Sequence, residues 1–294
     1  VVLAAGKGTR MRSATPKVLH AIAGRSMLAH SLDTAEGLDP ASVRVEIGHE
    51  GEEVRASQSG RDVHWVWQHE QFGTGHAVQL GIEDLEADAD DRVLVLYADV
   101  PLLSAETLGR LVGTEAVVSL LTVHMDDPTG YGRIIRDADD RVCRIVEQKD
   151  ATEAERQVQE VNTGILMARH GDLVAWLGQL EAGNAQGELY LTDIVEMAAS
   201  EHKPVDAVVA TDAWEVTGVN DRLALARLER VYQQRQAQAL ALAGTTIADP
   251  ERIDVRGTLE CGADVSIDVG CVFEGDVRLG DNVRIGPHCV LRDC

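Results

Sequence analysis

The sequence predicts an α/β protein: a mostly parallel sheet covered by helices, a long connector helix, then the start of a left-handed parallel β-helix. Three observations carry this. Short apolar strands alternate with helical segments as far as residue 123. Apolar residues then keep helical spacing over residues 221–242. Beyond Pro250 the period becomes six: Val255, Cys261, Ile267, Phe273, Leu279, Ile285 and Leu291 form one series, and Leu259, Val265, Cys271, Val277, Val283 and Cys289 a second. Every member of both series is apolar, as parallel coils of three hexads require.

Taken in order, residues 1–4 are a short apolar run that reads as a buried strand. It breaks into a loop carrying Gly6 and Gly8, with cations at Lys7, Arg10, Arg12 and Lys17. Glycine lets backbone N–H groups approach a ligand, and clustered cations suit a polyphosphate. Lysine occurs only at Lys7, Lys17, Lys149 and Lys203, so half of a scarce residue sits here. An ordinary strand-to-helix turn with solvated charges has the same composition, so the loop by itself leaves both readings open.

Residues 26–35 carry a helical pattern with Met27, Leu28 and Leu32 on one face. Residues 43–47 and 63–67 read as strands, 74–85 as a helix, and 92–97 as a fully buried strand running into Asp99. Ser104 is the expected N-cap of a helix through residue 112, with Thr107 short of a full capping box. Residues 116–123 form the next strand. Ligands of such sheets bind beyond the carboxyl ends of strands, so Gly6, Lys7 and Asp99 can share a crevice. From 131 to 169 short strands with turns at 137–140 and 150–152 suit an antiparallel excursion beside the main sheet.

The long helix carries Leu225, Leu228, Val231, Tyr232 and Arg235 at helical spacing, and Gly244 stops it. The expected division is 1–219 for the sheet domain, 220–244 for the connector and 245–294 for the coils. Gly262, Gly280 and Gly286 follow members of the first hexad series, as tight corners require. Cys261, Cys271 and Cys289 fall on inward positions and act as small apolar residues; the five cysteines form no C-x-x-C pair. The repeat reaches Cys294 without a polar cap, so the chain is expected to be the front part of a longer protein.

The net charge of −22 and an aromatic share of 3% argue against a nucleic-acid partner. No apolar run approaches the roughly 18 residues that cross a bilayer, and no signal peptide is visible, so a cytoplasmic location is expected. A phosphate ligand must therefore meet a local basic patch within an acidic shell.

Several motifs in one order sharpen the reading. They are L-A-A-G-K-G-T-R-M from Leu3, P-K-V-L-H from Pro16, G-T-G-H-A from Gly73, D-D-P-T-G-Y-G-R from Asp126, V-E-Q-K-D from Val146, N-T-G from Asn162 and A-Q-G-E-L-Y-L-T-D from Ala185. Over essentially all 294 residues the chain resembles the bacterial bifunctional N-acetylglucosamine-1-phosphate uridyltransferase and glucosamine-1-phosphate acetyltransferase family. The resemblance implies a Rossmann-like nucleotidyltransferase domain that joins UTP to N-acetylglucosamine 1-phosphate, giving UDP-N-acetylglucosamine and pyrophosphate for envelope precursors.

By the same resemblance Leu3, Ala4, Ala5 and Gly6 line the nucleotide loop. Arg10 would stabilise the leaving pyrophosphate and Lys17 the phosphates at the reacting centre. Asp99 and Asn220 would hold Mg²⁺, a hard cation that takes oxygen ligands. Gln68 and Gly73 would read uracil with Thr74 close by, and Tyr97 and Ala98 would lie beside Asp99. Gly132, Glu147 and Asn162 would hold the N-acetyl sugar. His20, His30, His49 and His76 are expected to be structural.

Two departures stand out: Ala98 where the family usually has Gly, and Asp221 where it commonly has a second Asn. A methyl group at 98 would crowd the nucleotide if that backbone needed positive φ. The family also implies a homotrimer. Its acetyl-coenzyme A site would lie on later coils, so uridylyl but not acetyl transfer is expected of these residues. The alternatives are a related sugar-1-phosphate nucleotidyltransferase and a non-catalytic nucleotide-sugar-binding subunit; keeping Arg10, Lys17, Asp99 and Asn220 together argues against the latter.

Overall fold

The structure, a computed structural model, describes residues 1–294. In chain order its elements are β1 (Val2–Leu3), β2 (Ala21–Ile22), β3 (Arg25–Ser26), α1 (Met27–Glu36), β4 (Arg44–Ile47), α2 (Gly51–Ser57), β5 (His64–Trp67), α3 (Thr74–Ile82), β6 (Arg92–Tyr97), α4 (Ala105–Val112) and β7 (Val118–His124). There follow β8 (Arg133–Arg136), β9 (Val142–Val146), α5 (Glu153–Arg156), β10 (Glu160–Arg169), α6 (His170–Leu177), α7 (Asp193–Ser200), β11 (Val205–Val209) and α8 (Arg222–Leu242). The last strands are β12 (Thr246–Ile247), β13 (Ile253–Cys261), β14 (Ser266–Ile267), β15 (Cys271–Leu279), β16 (Arg284–Ile285) and β17 (Val290–Arg292). By internal packing the chain divides into Val1–Lys7 with Ser31–Thr217, and Gly8–His30 with Gly218–Cys294.

The first unit is built on a nine-stranded sheet of order β11-β7-β10-β6-β1-β4-β5, with β8 and β9 off its path. β1 pairs in parallel with β4 and β6, β4 with β5, and β11 with β7. The expected parallel sheet is therefore present, with one correction. β10 does not lie beside the sheet; it runs antiparallel between β6 and β7 in its middle. Its run Ile165-Leu166-Met167-Ala168 is at most 3% exposed. Only a central position covers both faces of such a strand. β8 and β9 alone form the excursion.

α2, α6 and α7 have seven or eight residues each, about two turns, too few for an apolar period to stand out from the sequence. Ser104 caps α4 as expected, its Oγ accepting from Thr107 N at 3.1 Å. The core of this unit gathers Val95, Val118, Leu120, Leu166, Leu173 and Trp176, each no more than 1% exposed.

One residue is out of keeping with its strand. Glu46 of β4 is 2% exposed, lies in register with Leu3 and Val66, and its Oε1 has no hydrogen-bond partner. Burial pushes its carboxyl up to about 8. At neutral pH it is a protonated acid in an apolar layer.

In the second unit the coils are parallel, with sheets β12-β14-β16 and β13-β15-β17. Each β13 residue pairs with one eighteen positions later, Ile253 with Cys271 and Val255 with Phe273, which is three hexads per turn. All members of both hexad series line one core, with Phe273, Val265 and Val277 fully buried.

α8 packs on the first coil. Gln233, 1% exposed, donates to Val255 O at 2.8 Å and accepts from Val255 N at 2.7 Å. Its amide thereby does what a neighbouring strand would do at that edge. The β2–β3 hairpin joins this unit through Ala23 N, which donates to Glu229 Oε2 at 2.7 Å. No helix is long and apolar enough to cross a membrane.

Candidate active site

In the first unit, strand ends present residues 3–6, expected to form the nucleotide loop. Ala98 N donates to Leu3 O at 3.0 Å, and Ala4 N donates to Glu46 O at 2.9 Å. Gln71 Nε2 donates to Ala5 O at 2.5 Å, strapping the 68–73 loop to the end of β1. A Cβ on Gly6 would meet nothing within 4 Å, so its backbone faces open space. Asp99 follows β6 in a turn closed by Val100 N donating to Tyr97 O at 3.2 Å. Ala98 is fully buried and its φ is not positive, so its methyl needs no strained backbone.

Tyr97 lies against Gly164, which sits at φ 86° where the β10 register shifts; a Cβ there would come 2.7 Å from the ring. Burial first, then Asp99, Glu147 and Glu46, hold the phenol well above its usual range. Tyr97 is therefore a neutral packing group here.

The residues expected on the uracil side cluster at the start of α3. Gln68 is 6% exposed, and its Nε2 is 3.4 Å from His76 Nδ1. Gly73 has φ 109°, and a Cβ on it would lie 2.6 Å from Leu189 O, so only glycine fits. Leu189 N donates to Phe72 O, Gly75 N donates to Leu189 O, and Leu191 N donates to Thr74 Oγ1. The Thr74 hydroxyl thus clamps residues 188–191 against the helix start. Neither that clamp nor the Gln71 strap is visible from local sequence, because each joins segments far apart in the chain.

Gly132, Glu147 and Asn162 come together. Asn162 N donates to Gly132 O at 2.8 Å, and a Cβ on Gly132 would lie 3.2 Å from Glu147 Oε1. Asn162 Oδ1 accepts from Gly164 N at 3.0 Å. Burial chiefly, with Asp150 and Asp193 nearby, raises the Glu147 carboxyl; a hydrogen bond from Thr192 works the other way. Arg133, 1% exposed, holds this corner by donating to Gln148 Oε1 at 2.7 Å and to Tyr131 O. Its motif was legible, but its bracing role was not.

The cations beyond Lys7 belong to the second unit. Arg10 lies on a 3-10 turn (Thr9–Met11) entered by Gly8 at φ 58°. A Cβ on Gly8 would stand 2.5 Å from Lys17 Cβ, so the bare backbone lets the lysine stem pass. Arg10 Nη2 donates to Asn220 Oδ1 at 2.9 Å, and Lys17 Nζ donates to the same oxygen at 3.0 Å. Arg222 Nε donates to Met11 O at 3.1 Å, tying the Asn220 segment to the end of that turn. Asp221 caps α8, its Oδ1 accepting from Ala224 N at 2.8 Å, which accounts for an aspartate at that position. Burial, and then the Arg222 guanidinium, lower the His20 imidazole from its usual value.

No group of three or more His, Cys, Asp or Glu side chains is placed to hold a metal. The donor set expected for Mg²⁺, one carboxylate and one amide oxygen, fits an ion that keeps several waters and takes the rest of its ligands from phosphates.

Comparison with known proteins agrees with this architecture. The MobA-like NTP transferase domain model matches residues 1–141, and the bacterial transferase hexapeptide model matches 260–293. A solved Bacillus anthracis chain, assigned as a glucose-1-phosphate thymidylyltransferase and crystallised with sucrose, is similar in fold with a TM-score of 0.60. It is 20% identical, and the match covers 78% of this chain and 93% of that one. The class is thus an NTP-transferase-type α/β domain followed by transferase hexapeptide coils.

Bifunctional protein GlmU of Chromohalobacter salexigens is 56% identical over 100% of this chain, and that of Ralstonia nicotianae 53% identical over 100%. The Methylobacillus flagellatus protein of the same name is 55% identical over 100% of the chain. The chain is similar to these GlmU proteins along its whole length, and it spans 63–64% of their own length.

Proposed function

We propose that the chain carries the uridylyl-transfer site of a UDP-N-acetylglucosamine diphosphorylase. A phosphate oxygen of N-acetylglucosamine 1-phosphate attacks the α-phosphorus of UTP, the bond from that phosphorus to the bridging oxygen breaks, and pyrophosphate leaves. The attacking phosphate is already ionised, so no side-chain base is needed. What the protein must do is hold two anions together and in line.

The single observation that carries the reading is the convergence of Arg10 and Lys17, from a glycine-entered loop, on one side chain. In an acidic protein this is a local cationic group suited to phosphates. In the proposed roles Arg10 meets the departing pyrophosphate and Lys17 the reacting centre. Leu3, Ala4, Ala5 and Gly6 offer backbone to the nucleotide, Gln68, Gly73 and Thr74 take the uracil side, and Tyr97 and Ala98 form the wall beside Asp99. Gly132, Glu147 and Asn162 take the sugar hydroxyls and acetamide.

Asp99 and Asn220 would hold Mg²⁺, which when bound supplies positive charge to the phosphates. Action in the cytoplasm, as a homotrimer of the longer protein, completes the proposal. The test is pyrophosphate release from UTP with a panel of sugar 1-phosphates, with and without Mg²⁺. Release only with N-acetylglucosamine 1-phosphate and Mg²⁺ is expected. Equal release with glucose 1-phosphate would favour the sibling nucleotidyltransferase reading.

A further inference from the structure

Asn220 holds Arg10 and Lys17 through one atom. Its Oδ1 accepts from Arg10 Nη2 at 2.9 Å and from Lys17 Nζ at 3.0 Å. A carbonyl oxygen has two lone pairs, so this acceptor is filled. The arrangement is braced on both sides: Asp221 caps α8 directly after Asn220, and Arg222 bonds Met11 O at the end of the Arg10 turn. The bare backbone of Gly8 leaves room for the Lys17 stem, since a Cβ there would lie 2.5 Å from Lys17 Cβ.

We infer that Asn220 is a positioning residue that parks Arg10 and Lys17 and, while it does so, is closed to a bare divalent cation. The inference rests on the uridylyl-transfer reading of this site. A divalent ion bound to Oδ1 would sit about 2.1 Å from it, hence no more than about 5 Å from each cationic nitrogen. Two like charges at that range, with the lone pairs already engaged, oppose entry strongly outside bulk water.

Phosphates remove the obstacle. A nucleotide triphosphate offers both cations stronger, charge-assisted acceptors than an amide, so they leave Oδ1 as the nucleotide arrives. Metal and nucleotide therefore bind as a coupled pair, and the metal does not precede the nucleotide. Until then the two cations are held near their working places, which lowers the ordering cost of phosphate binding.

The experiment uses the 294-residue chain and Mn²⁺ as the probe, read by electron paramagnetic resonance of free metal and by water-proton relaxation of bound metal. Arg10→Gln with Lys17→Met should bind bare Mn²⁺ at least about tenfold more tightly than the unsubstituted chain. Lys17→Met alone should fall between them, and Lys17→Arg should restore weak binding. Adding Asn220→Ala to the double variant should abolish the gain.

A double variant that binds bare Mn²⁺ no more tightly, or a gain that survives Asn220→Ala, overturns the inference. The unsubstituted chain mixed with Mn²⁺ and UTP separates the two levels. If a ternary complex forms but the variants show no gain, only the parking role falls. If no ternary complex forms, both it and the uridylyl-transfer reading fall.

Discussion

Replacing Glu46 by Gln tests how far a buried carboxyl controls the stability of the first unit. Its carboxyl is raised from 4.5 to about 8 by burial. Below pH 4.5 the group is protonated in both folded and unfolded chains, and its ionisation exerts no effect. Between 4.5 and about 8 the unfolded chain has lost the proton and the folded one has kept it, so stability falls as pH rises. From pH 4.5 to 7 the loss is about 3 kcal/mol, and above pH 8 it levels off near 5 kcal/mol, at 1.36 kcal/mol per pKa unit.

Gln keeps the shape and does not titrate, so every other group's pH dependence cancels between the two proteins. The stability of Glu46→Gln relative to the unsubstituted chain should therefore improve by about 3 kcal/mol between pH 4.5 and 7 and become flat above 8. Urea unfolding followed by tryptophan fluorescence measures this directly. Trp65, Trp67, Trp176 and Trp214 all belong to the unit that holds Glu46. A difference that stays constant to within about 0.5 kcal/mol from pH 4.5 to 9 would mean that Glu46 ionises normally, and the account of its burial would be wrong.

Other perturbations have equally definite outcomes. Gly8→Ala adds a methyl 2.5 Å from Lys17 Cβ at a left-handed φ, so nucleotide affinity by calorimetry should weaken at least about tenfold and the stability of the second unit should fall by about 1–3 kcal/mol. Gln233→Ala strips Val255 of both backbone partners and should lower the stability of the second unit by about 3 kcal/mol in denaturant titration; a loss under 1 kcal/mol would deny Gln233 its edge-covering part. Asp99→Asn should cut turnover in the pyrophosphate-release assay about a hundredfold or more, and a near-normal rate would remove Asp99 from the proposed metal pair.

Much of this molecule is written in local periodicity. The six-residue series from Val255 to Leu291 foretold the coils and their inward cysteines, because a repeating side-chain environment demands a repeating side-chain type. The strand running into Asp99 and the Ser104 cap were legible for a similar reason: each is decided by residues within a turn or two of itself. That strand is not fully buried as expected, for Arg92 is exposed and Leu94 half-buried. The ordered motifs carried the resemblance to the GlmU proteins without any geometry.

Tertiary structure decided what depends on distant partners. β10 entered the middle of the sheet because its two faces could be covered only between β6 and β7, a choice that nothing in residues 160–169 announces. Gln233 reads as one more polar helix residue until Val255 offers it an unpaired strand edge. Arg10 and Lys17 meet an amide more than two hundred positions away, and only the folded chain brings that oxygen to them. Sequence patterns report which face of an element is apolar; which face it meets depends on the packing of the whole unit, and that is where the site is assembled.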